Sequence, residues 1–195
     1  MQLSKGLLYG IASRLHSIIT SVLWKSQQKR FKRVGVGSGV LELPYVKGYD
    51  RISLGNHFFC GKDVRFEAWS SYGEQHFSPE IIIGDNVTFT DRCYLSCIDR
   101  IEIGDGVLLG RDVFIADNSH GDITMISLPP AKRPLTSKGA VIIGNNVWIG
   151  RQVTILSGVT IGDNSIIGAN SVVNRDIPAN CVAAGNPAKV VKEIR

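Results

Sequence analysis

The stretch VFIADNSHGDI, Val113 to Ile123, brings a carboxylate, a carboxamide and an imidazole together as Asp117, Asn118 and His120. An imidazole with an ordinary pKa of about 6.5 can take a proton from a hydroxyl group at neutral pH. Asp117, Asn118 or a backbone carbonyl could hold its other ring nitrogen in one tautomer. His120 stands where a regular pattern breaks off, and GDITMISLPPAKRPLTSKGA follows before the pattern resumes at VIIGNNVWIG. A long aperiodic segment inside a compact repeat is usually functional. His16, His57 and His76 have no such setting and read as surface or corner residues. Cys60, Cys93, Cys97 and Cys181 form no CxxC pair. Cys60 and Cys93 fall on inward repeat positions and read as small buried hydrophobes; a structural role for the cysteines is favoured over metal or redox work, and the cytoplasm is the expected compartment.

The element that must hold His120 follows from the period. From Ile83 the chain reads IGDNVT, FTDRCY, LSCIDR, then IGDGVL, LGRDVF, IADNSH, and later IGNNVW, IGRQVT, ILSGVT, IGDNSI, IGANSV, VNRDIP. An earlier, rougher pass is LGNHFF, CGKDVR, FEAWSS. A period of six suits short strands joined by corners, which Gly, Asn and Asp can turn without strain. Apolar residues at positions one and five point inward. Three sides make a triangular coil of 18 residues, the spacing of Ile143 and Ile161, and stacked coils bury faces that none could bury alone. About five coils are expected between Leu54 and Pro178. The domain reading is a basic leader 1–33, a connecting segment 34–51, the prism 52–187 with a protruding loop 121–140, and a short C-terminal helix 188–195.

Charge separates the leader from the body. Residues 1–33 carry seven Lys or Arg and no Asp or Glu, whereas the whole 195-residue chain nets +5, so the rest is slightly acidic. A basic face confined to a leader argues against a nucleic-acid partner. Leu3, Leu7, Leu8, Ile11, Leu15, Ile18, Ile19, Val22 and Leu23 form a helical apolar stripe. Such a helix either caps the prism or packs on a neighbour, or lies on an anionic membrane surface. No apolar run is long enough for a membrane span.

The tandem [LIV]-G-x-x-x-x pattern resembles the left-handed parallel β-helix of the hexapeptide-repeat acyltransferases, and ADNSHGD is similar to the histidine site of the maltose, galactoside and polysaccharide O-acetyltransferase branch. That resemblance implies an all-β left-handed prism with His120 as general base, acetyl-CoA as acyl donor and a homotrimer with sites at subunit interfaces. It places Trp148, Gly150, Ala169, Asn174 and Arg175 along the donor groove, Asn174–Arg175 replacing the commoner Thr-Lys, and Lys189 and Lys192 near the donor phosphates. On the acceptor side, expected to take a sugar or glycan hydroxyl, Asp91, Asp117 and Asn118 are candidates, and WSSYGEQH (Trp69 to His76) offers aromatics that suit a sugar ring.

Rival readings differ by simple features. A γ-type carbonic anhydrase would need three histidine ligands, and His120 has no histidine nearer in sequence than His76. Serine O-acetyltransferases carry a larger helical domain ahead of the prism. An N-acetyltransferase of a nucleotide-linked amino sugar and a non-catalytic scaffold remain as alternatives, separable by acceptor-dependent release of CoA.

Overall fold

The computed structural model describes residues 5–121 and 124–194. Leu3, and the side chains of Lys5, Leu7, Leu8 and Ile11 invoked for the leader, lie outside what is described.

Helix α1 (Lys5–Gln28) leads into a prism with three faces of six, eight and six strands, parallel except for the last strand of the second face. Each coil contributes one short strand to each face: coil two, for instance, is built from Ile52–Leu54, Phe59–Cys60 and Arg65–Ala68, and coil five from Val141–Ile143, Trp148–Ile149 and Thr154–Ile155. The arrangement is consistent with the left-handed winding that the family resemblance implies. Inward positions one and five are closed to solvent, as Ile83, Val87, Phe89, Cys93 and Leu95 show in one coil. All four cysteines are free and buried. Phe58, Phe66 and Phe89 fill the wide early coils, with centroids 5.3–6.2 Å apart.

Corners carry the strain. Asn86, Asn146, Asn164 and Asn170 have φ between 54 and 60°, the left-handed region where a short amide side chain is tolerated. Arg92 adopts φ 58° without that advantage. It is held instead by a bidentate pair with Asp112 of the next coil, Nε–Oδ1 2.6 Å and Nη2–Oδ2 2.9 Å.

Two expectations are corrected. The segment 34–51 is not a connector: Arg33–Val34, Gly39–Val40 and Tyr45–Lys47 each pair in parallel with coil two and form a sixth, first coil. Val34, Val40, Val46 and Ile52 continue the six-residue spacing, but position five there holds Ser38, Pro44 and Asp50, which hides the repeat. The C-terminal segment is not a helix either. Ala188–Glu193 is a strand antiparallel to Cys181–Gly185, reversed at Asn186–Pro187. Its β-branched Val190 and Val191 suit a strand, and it covers the open end of the second face.

Among the described residues, helix α1 closes the opposite end through its last turns. Trp24 is buried in the common core, donates from Nε1 to the Ser38 carbonyl (3.1 Å) and packs edge-on against Phe31.

Candidate active site

Two segments leave the prism and meet again outside it. The first, between coils two and three, is a hairpin of Ser71–Tyr72 and Gln75–His76 closed by Gly73–Glu74. The second runs from Asp117 to Ala140, between coils four and five. Its neck is shut by reciprocal backbone bonds, Ser119 N–H to Thr136 O (2.9 Å) and Thr136 N–H to Ser119 O (3.0 Å). His120 follows that neck directly. Gly121 must be glycine here: its φ is 82°, and a Cβ would come within 2.6 Å of Arg133 Cβ.

The hairpin grips the loop. Gln75 Nε2 donates to the Leu135 carbonyl (3.1 Å) and Leu135 N–H donates to Gln75 Oε1 (2.6 Å), a side-chain imitation of strand pairing. Between them lies a cleft of about 260 Å³ lined by Trp69, Tyr72, Tyr94, Ser96, Asn118 and His120.

The state of His120 follows from Tyr72. The Tyr72 hydroxyl donates its hydrogen to the Ala131 carbonyl at 2.6 Å. Its oxygen lies 3.4 Å from His120 Nδ1, with the rings edge to face at 5.5 Å. With its only hydrogen committed, Tyr72 can only accept from the imidazole. A hydrogen bond across this contact would place the N–H on Nδ1 and leave Nε2 as the basic nitrogen.

The cleft wall is braced from behind by Glu67, nearly closed to solvent. Its Oε2 accepts from Trp69 Nε1 (3.1 Å) and from the Tyr94 hydroxyl (2.8 Å). Burial first, and then the bond to Glu67, push the Tyr94 phenol up to about 12, so it stays a donor. Lys47 Nζ sits 3.0 Å from the Trp69 ring centroid. Glu67, Tyr72 and Tyr94 were not singled out from sequence, although Tyr72 lies inside the WSSYGEQH bulge. A charged residue between Phe66 and Ala68 was the only sign of the brace.

The predicted acceptor residues part company. Asn118 lines the cleft, its Nδ2 donating to Ser96 O at 2.9 Å. Asp117 does not reach a substrate: it is 0% exposed, its oxygens accepting the N–H groups of Ile98 and Asp99 (both 2.8 Å) and the Cys97 thiol (3.1 Å). It ties coil four to coil three at the root of the loop, a positioning role. Asp91 lies at a different edge, between the second and third faces, accepting from Lys62 N–H (3.0 Å) and pairing with Arg111 (2.9 Å). It staples adjacent coils and is not brought to His120.

The predicted donor residues fall into two groups. Asn174 joins Asn118, Ser119, Lys138, Leu156 and Ser157 around a groove of about 150 Å³ that shares Asn118 with the cleft. Arg175 is exposed beside Asn174. Trp148 instead stands on the second face, 52% exposed, in a row with Leu108, Ile166 and Val182 that ends at Lys192. Lys189 lies on the same terminal strand. Gly150 and Ala169 touch in successive coils: a Cβ on Gly150 would fall 2.7 Å from Ala169 N, so this glycine answers first to stacking.

Comparison with known proteins fits this geometry. A model of the bacterial transferase hexapeptide (six repeats) matches residues 140–175. WbbJ of Escherichia coli (strain K12), named for lipopolysaccharide biosynthesis O-acetyl transfer, is 36% identical over 155 residues, 76% of this chain and 75% of its own. The structure of a maltose O-acetyltransferase from Clostridium difficile 630 is 32% identical with TM-score 0.56, covering 87% of this chain and 73% of the other. The hexapeptide-repeat acetyltransferase VCA0836 of Vibrio cholerae, solved with acetyl-CoA, shares the fold at TM-score 0.64 and 24% identity over 98% of this chain and 91% of its own.

Proposed function

Because the chain belongs to the hexapeptide-repeat acyltransferase family, related to sugar and polysaccharide O-acetyltransferases, we propose that it transfers an acetyl group from acetyl-CoA to a hydroxyl of a sugar, in the making of a polysaccharide or glycan precursor. The observation that carries the reading is His120, exposed in an aromatic cleft with its Nδ1 turned to Tyr72.

The residues present suit the donor. The groove from Asn118 to Asn174 joins an apolar Leu156 to small polar side chains, room for a thin pantetheine arm. Lys138, Arg175, Lys189 and Lys192 offer cations for phosphates, and Trp148 offers an aromatic surface. When bound, acetyl-CoA supplies the thioester carbonyl. His120 Nε2 takes the proton from the sugar hydroxyl as that oxygen bonds the carbonyl carbon. The imidazolium returns a proton to the sulfur as the C–S bond breaks. Tyr72 holds the Nδ1–H tautomer throughout, and Trp69 and Tyr94 present flat surfaces to the sugar ring. Beyond the base, holding two substrates in one geometry is the main contribution.

We further propose a homotrimer with donor sites between subunits. Two features support it: the donor candidates lie on separate faces of one prism, and the second face exposes Phe59, Leu108 and Trp148. A neighbour would bring the two groups opposite each other. Four buried free thiols support a cytoplasmic setting.

The test is CoA release from acetyl-CoA with sugars, nucleotide-sugars and amino sugars, for wild type and His120→Ala. Hydroxyl-dependent turnover lost in the variant supports the proposal. Turnover only with amino sugars would replace it with N-acetylation, and turnover that survives the substitution would remove His120 as base.

A further inference from the structure

Helix α1 has two sides with opposite fates. Thr20 and Trp24 are buried (7% and 4% exposed), and Gln27 Nε2 donates to the Tyr49 hydroxyl at 2.7 Å. These residues anchor the helix on coil one. Leu15, Ile18, Ile19 and Val22, spaced i, i+3, i+4, i+7, form the other side and are 57, 61, 50 and 62% exposed. The apolar stripe thus faces away from the prism, while a narrower and more polar side does the capping. A stripe turned outward needs something to cover it.

Charge selects the occupant. Arg14 and Lys25 are exposed and, at 100° per residue, lie along one flank of the stripe. No acidic residue occurs before Glu42. A second copy packed stripe to stripe would bring these cations together with no carboxylate on the leader to neutralise them. An anionic lipid surface meets both features: acyl chains take the stripe and headgroups take the flank. No helix among the described residues is long and apolar enough to cross a membrane, so the fitting geometry is a helix lying in the interface.

We propose that α1 is a peripheral membrane anchor, its Leu15–Ile18–Ile19–Val22 stripe sunk into an anionic phospholipid surface while Trp24 keeps the prism attached. The inference stands apart from the acyl-transfer reading, since it uses no residue of the cleft.

The experiment is co-sedimentation of the full chain with phosphatidylcholine vesicles, with and without phosphatidylglycerol. The wild type should bind the mixed vesicles at least about tenfold more tightly than pure phosphatidylcholine, with binding weakened by salt as headgroup charge is screened. The double variant Ile18→Glu/Val22→Glu should lose binding, and Arg14→Glu/Lys25→Glu should lose the preference for anionic lipid. Both should melt at the wild-type temperature, because neither pair belongs to the buried side. A further stripe variant, Ile19→Ser, guards against misfolding of the first pair and should weaken binding without abolishing it. Equal affinity for neutral vesicles, no binding to either, or binding untouched by the stripe variants would overturn the proposal. So would lipid-independent self-association that these variants abolish, which would assign the stripe to a second copy.

Discussion

The coils and the two excursions follow different rules within one chain. In coils two to six, position decides identity: an inward side chain is mostly aliphatic, cysteine or phenylalanine, with serine at Ser165 and Ser171 of the last coil, and each strand pairs with its neighbour in the adjoining coil. In the hairpin at 71–76 and the loop at 117–140 there is no period, and contacts are made by individual side chains, such as Gln75 with Leu135 and Tyr72 with Ala131. The coils supply rigidity and, through Tyr94 and Ser96, part of the cleft wall. The excursions carry His120 and Tyr72, and they obtain rigidity by holding each other. His120 stands at the boundary, its neighbours Asp117 and Ser119 fixed to the coil and to the loop neck respectively.

This division can be broken from either side. The largest effect should come from His120→Ala, which should lower acceptor-dependent CoA release by about 10²–10⁴-fold, the usual worth of a general base, while the thermal transition stays in place. The opposite result is expected of Ile115→Ala in coil four, whose side chain is wholly buried. It should cost about 2–5 kcal/mol in chemical denaturation and leave turnover per folded molecule unchanged.

Tyr72→Phe sharpens the comparison, because it alters only a contact between the excursions. Losing one hydroxyl, worth about 1 kcal/mol, should lower kcat several-fold with KM for the donor and the melting temperature nearly unmoved. A loss of stability equal to that of a coil substitution would show that the hairpin belongs to the coils' cooperative unit.

The smallest effect concerns a coil surface. Glu80 accepts from Lys32 (2.6 Å) and Arg100 (2.7 Å), and the Lys32 hydrogen bond, ahead of the charges themselves, holds its carboxyl below the usual range. A depressed folded-state pKa gives stability that is present above the unfolded value and lost as pH falls through the folded one. Glu80→Gln should therefore lower stability slightly at neutral pH and flatten its decline in the acid range, an effect of well under about 1 kcal/mol for a partly exposed pair. Urea titrations across pH would measure it.

Most of the prism was legible because an inward position tolerates so few residues. Ile143 and Ile161 announce their coils unaided. Coil one was missed because only Val34, Val40 and Val46 keep the rhythm while Ser38, Pro44 and Asp50 break it. The terminal strand was missed because a charged, six-residue end carries no period, and its pairing depends on the reversal at Asn186–Pro187. At the site, the setting of His120 could be read from the broken repeat, and so could the aromatic bulge. Its partner could not: Tyr72 precedes His120 by 48 residues and meets it only because two excursions fold over the same edge. Asp91 and Asp117 carried the right chemistry for an acceptor site, yet Asp91 pairs with Arg111 and Asp117 is sealed by backbone N–H groups. Sequence shows a carboxylate, and packing decides whether it is available.

The neck between Ser119 and Thr136 bears on how such a protein can change over time. Its two backbone bonds close the loop at the prism surface, so the ends are already brought together whatever lies beyond them. Lengthening the segment from Gly121 to Leu135 then adds only a weak, logarithmic entropic cost and leaves the coils below undisturbed. New loops can be grafted at this point without refolding the scaffold, so the wall beside His120 becomes a feature that insertions and deletions can reshape one residue at a time.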